Sequence, residues 1–194
     1  DGPVSQNELC FVTSGGVRLM AEVIKVTGKT ASIQVFESTR GLKNGDAVEF
    51  EGRMLEATLG PGLLSSCYDG LQNDLTTMTG VFLRKGEYTS PLDHEKLWDF
   101  TPIAKPGDKV VAADWLGEVK EGWLPHKIMV PFSFEGEYTV KSVTEAGQYT
   151  IDTVIAVLTD EKGEDVNVTM TQKWPVKVAI KGYREKPRPN RIME

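Results

Sequence analysis

His94 and His126 are the first residues to weigh for chemistry in this 194-residue chain. Neither has a Cys, Asp or Glu at the helix or hairpin spacing of a recognised metal site. His94 follows Asp93 in PLDHEK and reads as part of a solvated turn, and His126 stands at a loop-to-strand junction before Lys127. No GxSxG occurs, so there is no strained strand-to-helix turn to present a nucleophilic serine. No GxxxxGK[ST] occurs, so the chain has no glycine-rich loop and following lysine with which to cradle nucleotide phosphates. Carboxylates are plentiful, but the spacing holds no pair apart for acid–base work. Asp160-Glu161 and Glu164-Asp165 flank Lys162-Gly163 and read as a polar hairpin turn, with a weak divalent-cation site as the sharper alternative. No catalytic, cofactor-binding or metal-binding residue is assigned, and no cofactor is expected in these 194 residues.

The elements that would position any such group are strands. Residues 8–58 carry short alternating runs: Cys10–Thr13, Val17–Thr27, Thr30–Phe36, Ala47–Glu51 and Met54–Thr58. In Val17–Thr27, Leu19, Ala21 and Val23 share one face; in Thr30–Phe36, Ala31, Ile33 and Val35 do. Gly28-Lys29 between them signals a hairpin. Four or five short strands in fifty residues suggest a small barrel, an arrangement that pairs every edge. Leu59–Leu75 breaks the pattern: Gly60-Pro61-Gly62 is a loop, and LLSSCYDGLQNDL is read as a short helix. Residues 76–104 show no period, and Pro91, Pro102 and Pro106 forbid long elements there. Strand candidates resume at Lys109–Ala112, Trp115–Lys120, Lys127–Pro131, Glu135–Val143, Thr150–Thr159 and Val166–Thr171, with turn signals every 8–12 residues that favour a sandwich or barrel. This second β unit has its own apolar set, Val110, Trp115, Ile128, Val130, Val140, Ile151, Val154, Ile155 and Val157, with Trp115 and Ile155 expected at its centre. The fold class is mainly β. It divides into an N-terminal barrel, 1–58, incomplete at its start; an irregular connector, 59–104; a barrel-sandwich-like domain, 105–170; and a basic Pro-containing linker, 171–194.

Composition bounds the function classes. Hydrophobic residues are 40% and charged residues 26%, with 19 Gly and 10 Pro, which favours many turns over long helices. A net charge of −6 argues against general nucleic-acid binding, which needs a basic surface. The charge is uneven: residues 173–194 hold seven basic side chains against two acidic ones, leaving −11 on the other 172 residues. This stretch reads as a solvated tail or as a connector lying on an acidic neighbouring surface. Cys10 and Cys67 make no disulfide framework and are expected to be buried, reduced thiols of a cytosolic protein. No apolar run approaches about 18 residues, and the start has no signal-peptide pattern. The opening Asp1-Gly2-Pro3-Val4 suggests a trimmed or processed start.

Two resemblances bear on function. PGDKVVAADWLGEV, HKIMVPFSFEGEYTV and AGQYTIDTVIAVL resemble the biotinyl/lipoyl-type barrel-sandwich carriers, in which a modified lysine stands on an exposed hairpin. Lys127 is the corresponding position, but His126-Lys127-Ile128 lacks the flanking methionines or acidic residue that a modifying ligase expects, and Pro125 and Ile128 suggest that the lysine begins a strand, so the likeness is one of fold. Over nearly the whole chain a series of motifs resembles the catalytic A-subunit family of the V-type rotary ATPases: QVFESTRGLKNGD (34–46), EATLGPGLLSSCYDGLQNDL (56–75), GVFLRKG (80–86), WDFTPIAKPGDKV (98–110), HKIMVPFSFEGEYTV (126–140), YTIDTVIAVLTDEKGE (149–164) and TMTQKWPVK (169–177). The resemblance implies that residues 1–58 are the barrel that joins neighbouring head subunits. Residues 105–170 would be the family's bulge, which meets the peripheral stalk. The full-length form would use MgATP to couple hydrolysis or synthesis to proton or sodium movement. Location would be cytoplasmic, with contact to the membrane through the assembled motor alone. Without the phosphate loop, this chain is expected to be a non-catalytic assembly part. The alternatives are a carrier module or an autonomous β-rich binding module.

Overall fold

A computed structural model describes residues 3–77 and 85–181. Those residues contain fourteen strands and no helix. They divide into two compact units. The first contains residues up to Ala57, Thr77–Thr89 and Pro175–Val178; the second contains Thr58–Thr76, Ser90–Trp174 and the residues from Ala179. Residues 59–104 are therefore shared between the two units.

The first unit is built on β1 (Glu8–Ser14), β2 (Val17–Thr27), β3 (Thr30–Val35) and β4 (Ala47–Met54), in the order β3-β2-β1-β4, all antiparallel. Cys10 opposes Ala21 across one pair and Phe50 across the other, and Val23 opposes Ile33. That register puts Cys10, Val12, Ala21 and Val23 in one apolar cluster, with Ala31, Ile33 and Val35 against it. The faces follow the alternation in the sequence as far as Val23. There a bulge slips the register, Lys25 opposes Ser32, and Ile24 and Val26 are exposed. Gly52, expected as a turn, lies inside β4 at φ +67°, and its N–H donates to the buried Glu8 carboxylate at 2.9 Å. Among the described residues β3 and β4 do not pair, so the sheet is an open four-stranded half of a barrel.

Tyr88 holds its segment on this sheet. Its hydroxyl accepts from Met20 N–H at 2.9 Å and donates to Glu37 Oε1 at 2.8 Å, while Glu37 Oε2 accepts from Gly86 N–H at 2.9 Å. Burial and the Glu37 carboxylate push the phenol up to about 12. Lys177 Nζ bridges the two oxygens of buried Glu22 at 2.7 and 2.8 Å, so at least this residue of the basic stretch is bound. The remaining basic residues from Arg184 lie outside the described residues.

The second unit is a sandwich of two four-stranded sheets. One has the order β11-β6-β8-β9, from β6 (Trp98–Pro102), β8 (Trp115–Glu121), β9 (Leu124–Met129) and β11 (Gly147–Tyr149). The other has the order β13-β12-β10-β7, from β7 (Lys109–Val110), β10 (Tyr138–Val143), β12 (Ala156–Thr159) and β13 (Asp165–Val168). β5 (Glu56–Leu59) and β14 (Gln172–Pro175) form a two-stranded sheet. One core is shared by both sheets of the sandwich: Trp98, Phe100, Leu116, Val119 and Ile128 from the first, Val110, Val140, Leu158 and Val168 from the second, and Ile151 and Ile155 from the turn between β11 and β12. Gly117 is required by space: a Cβ there would stand 2.3 Å from the Phe100 ring.

Several expectations need correction. Trp115, placed in the core, is 56% exposed, and Val154 is exposed as well; Ile155 is fully buried. A bulge between Trp115 and Gly117 turns Trp115 away from the core, where alternation from Val119 alone would have brought it inward. Residues 150–155 hold a turn rather than a strand, closed by Thr153 N–H donating to Thr150 O. β6 and β14 lay in stretches read as irregular or as linker.

Candidate functional site

The stretch read as Leu59–Leu75 is not helical: Leu59 ends β5, and residues 60–75 are a loop closed by side-chain bonds. At its start, Gly60 sits where a Cβ would be 2.9 Å from Thr171 Cγ2, Pro61 is fully buried, and Gly62 takes φ +109°. The backbone N–H groups of this turn are gathered by Glu121. Its Oε1 accepts from Gly62 N–H at 2.6 Å and from Leu64 N–H at 3.1 Å, and its Oε2 lies 2.6 Å from His126 Nδ1. Glu121 is 6% exposed. A buried carboxylate persists when its oxygens are satisfied, and here two backbone donors and an imidazole satisfy them.

At its far end the loop bonds to β5 and to itself. Gln72, at φ +64°, copies a strand partner: its amide oxygen accepts from Thr58 N–H at 2.8 Å and its Nε2 donates to Thr58 O at 2.7 Å. Asp69 Oδ1 accepts from the N–H groups of Leu71 and Asn73 at 2.9 and 2.8 Å, and Oδ2 accepts from Asn73 Nδ2 at 2.8 Å. Burial would raise the Asp69 carboxyl, but these donors outweigh it and hold the group below 3.8. Tyr68 donates its hydroxyl to Pro91 O at 2.8 Å. The YDGLQND residues are thus the parts of a fixed loop, and polar bonding displaced the helix that the sequence suggested. Cys67, expected to be buried, is exposed, because it lies on the outer turn of this loop; Cys10 is buried in the first unit.

The remaining polar constellations hold structure together. His94 Nδ1 lies 2.7 Å from Asp152 Oδ2, and its Nε2 lies 3.1 Å from Ser90 Oγ. The order Ser–His–Asp is that of a nucleophilic relay, but Ser90 donates its proton to Leu92 O at 2.8 Å. The group therefore staples residues 90–94 to the turn at Asp152, where the sequence suggested a merely solvated histidine. His126 and Lys127 both lie within β9, and Lys127 pairs with Glu118 across the strands while its ammonium sits 4.8 Å from the Trp115 ring centroid. The hairpin tip is Gly122-Trp123. Lys127 is thus a paired strand residue, and it does not stand where a carrier would present its lysine. In the acidic hairpin, Asp160 Oδ1 accepts from Lys162 and Glu164 N–H, both at 2.8 Å, and Asp165 pairs with Lys141. Among the described residues no three His, Cys, Asp or Glu side chains approach closely enough to hold a metal ion.

This architecture has a family. Residues 1–52 match the model of the ATP synthase alpha/beta family beta-barrel domain, and residues 89–177 match that of the ATP synthase alpha/beta subunit barrel-sandwich domain. The chain belongs to the ATP synthase alpha/beta family. The first match falls on the open sheet and the second on the sandwich. The V-type ATP synthase alpha chains of Treponema denticola and Protochlamydia amoebophila are 46% and 47% identical to this chain over its whole length. That of Borrelia recurrentis is 47% identical over 99% of it. The chain spans about a third of the length of these relatives: 33%, 33% and 34%.

Of the residues gathered here, Glu121 and Gln72 went unremarked in the sequence. Glu121 had one visible signal: it shares strand parity with the buried Val119, so an acid falls on the inward face.

Proposed function

We propose that this chain is the assembly portion of a V-type ATP synthase alpha chain and performs no chemistry alone. The observation that carries the reading is the full-length match, at 46–47% identity, to about a third of those alpha chains by a sequence without a phosphate loop. Phosphoryl transfer in P-loop enzymes depends on that loop, its lysine and the bound Mg²⁺. The fixed bonding of the LGPGLL loop suits a role in holding parts together.

In this reading the whole alpha chain binds MgATP with residues other than these and couples its hydrolysis or synthesis to the movement of protons or sodium ions. The open sheet of the first unit joins neighbouring head subunits. The sandwich meets the peripheral stalk. The complex sits at the cytoplasmic face, and contact with the membrane is through the assembled motor. No helix among the described residues is long and apolar enough to cross a membrane.

Calorimetric titration of the chain with MgATP tests the first half of the proposal. No heat of binding is expected, and micromolar affinity would contradict it. Gel filtration with isolated peripheral-stalk subunits tests the second half. Co-elution is expected, and it should persist when excess beta chain is added to occupy the first unit; separate elution would contradict the stalk assignment.

A further inference from the structure

A groove in the second unit, about 490 Å³ in volume, lies between the residues that follow β6 and the turn that leads from β7 into β8. Trp115 and Ile103 stand bare on it, at 56% and 41% exposed. The bulge that turns Trp115 away from the core is what puts its ring here. Large apolar side chains left bare at a concave site are the usual anchors of protein interfaces. The wall beside Trp115 is fixed in advance. Ala113 holds a left-handed φ of +70°, locked by its N–H donating to Val130 O at 3.0 Å and by Val130 N–H donating to Asp114 O at 2.9 Å.

The charge of the groove is lopsided. Asp108 Oδ2 accepts from Lys105 N–H at 2.8 Å, and Asp114 Oδ2 accepts from Val111 N–H at 2.9 Å. A backbone donor orients a carboxylate and leaves its charge in place, and Asp108 Oδ1 takes no bond among the described residues. The cation in the lining is Lys109, and Glu137, outside the lining, holds its ammonium at 3.3 Å. Two carboxylates against one ammonium leave the lining at −1, and Glu137 brings the group to −2. Lys105 does not line the groove, and Lys127 is paired with Glu118. The Lys127 ammonium also shows what the Trp115 ring attracts, since it rests 4.8 Å from the ring centroid.

We propose that this groove docks a basic, apolar-faced segment of another protein. Its arginine or lysine side chains donate to Asp108 and Asp114, and its apolar side chains cover Trp115 and Ile103. The proposal rests on the assembly reading of the sandwich and deepens it by naming the docking face and the chemistry that fits it.

The test titrates a dye-labelled amphipathic peptide, with arginines on one face and leucines on the other, into the full chain. Binding is read by fluorescence anisotropy and by indole N–H resonances. Saturable binding is expected, with the Trp115 indole resonance moving and that of Trp123 still. Affinity should fall about tenfold in the D108N/D114N double variant, whose amide oxygens keep the two backbone bonds, and about tenfold in W115A. Folding of each variant is checked by unmoved core resonances. E87Q/E95Q removes two exposed charges that do not line the groove, and it should change affinity by less than about twofold. A peptide with citrulline in place of arginine should bind at least about tenfold more weakly. No binding, equal binding of the citrulline peptide, unchanged binding by W115A, or equal losses in the two double variants would overturn the proposal. So would free arginine moving the Trp115 resonance and displacing the peptide at the same concentration, which would make the groove a small-cation site. The assembly reading is judged separately, by whether the unaltered chain joins the head subunits. A chain that assembles but ignores the peptide defeats the groove alone, and one that never assembles defeats the wider reading.

Discussion

Replacing Glu121 with alanine should detach the LGPGLL turn from the sandwich. The carboxylate makes three close contacts, to Gly62 N, Leu64 N and His126 Nδ1, at 2.6, 3.1 and 2.6 Å. A hydrogen bond to a charged group is worth about 1.5–3 kcal/mol net, and three would sum to roughly 4.5–9 kcal/mol if independent. They are not independent. Both N–H donors lie on one partly buried turn that can reach water once released, so we take about 3–4 kcal/mol. Glu121→Gln keeps one oxygen for the two backbone donors and loses the charge, and should cost about half as much. The assay is urea unfolding followed by tryptophan fluorescence. All four tryptophans, at 98, 115, 123 and 174, lie in the second unit, so the signal reports that unit alone. With a slope of about 1–3 kcal/mol per molar, the alanine variant should lower the midpoint by roughly 1–4 M. A shift worth less than about 0.5 kcal/mol would refute the reasoning, since it would mean that the turn holds its place without the carboxylate.

The other predictions are narrower. Ile155→Ala should cost about 2–5 kcal/mol and Trp115→Ala less than about 1 kcal/mol by the same unfolding measurement; the reverse order would show that the core is misplaced. Burial and the Glu8 carboxylate push the Cys10 thiol up to about 11, so at mildly alkaline pH a thiol reagent should modify Cys67 at once and Cys10 only after denaturant is added. Rapid labelling of both in the native chain would contradict that. Asp69 titrates below its unfolded value of 3.8, so its stabilising contribution is complete above that value and is lost as pH falls through the lower, folded one. Asp69→Asn should therefore be less stable at neutral pH and show a flatter acid branch in thermal unfolding, and parallel acid branches would count against the assignment.

What the sequence revealed depended on how local each cause was. β2 begins and ends where alternation and Gly28 place it, because its pattern is set by neighbours two residues away. Trp115 could not be placed from its own strand, since the bulge beside it is a property of the β8–β9 pairing. The segment Leu63–Leu75 carried helix-like spacing, but its outcome turned on Glu121, Gln72 and Asp69 reaching backbone N–H groups, and two of those bonds close over 57 and 59 residues. β6 was hidden because Trp98-Asp99-Phe100 is short and flanked by prolines, and it becomes a strand by pairing with β8 and β11. The motif series from QVFESTRGL to QKWPV carried the family more surely than any element boundary.

The central claim is that this chain takes an alpha chain's place in assembly without its chemistry. The most direct measurement reassembles a V-type ATP synthase head from purified subunits in the presence of excess chain, with native mass spectrometry and ATPase activity read together. The account predicts heads in which the chain replaces an alpha chain beside the beta chains, with ATPase activity falling in proportion. Full-activity heads with the chain left free in solution would contradict it.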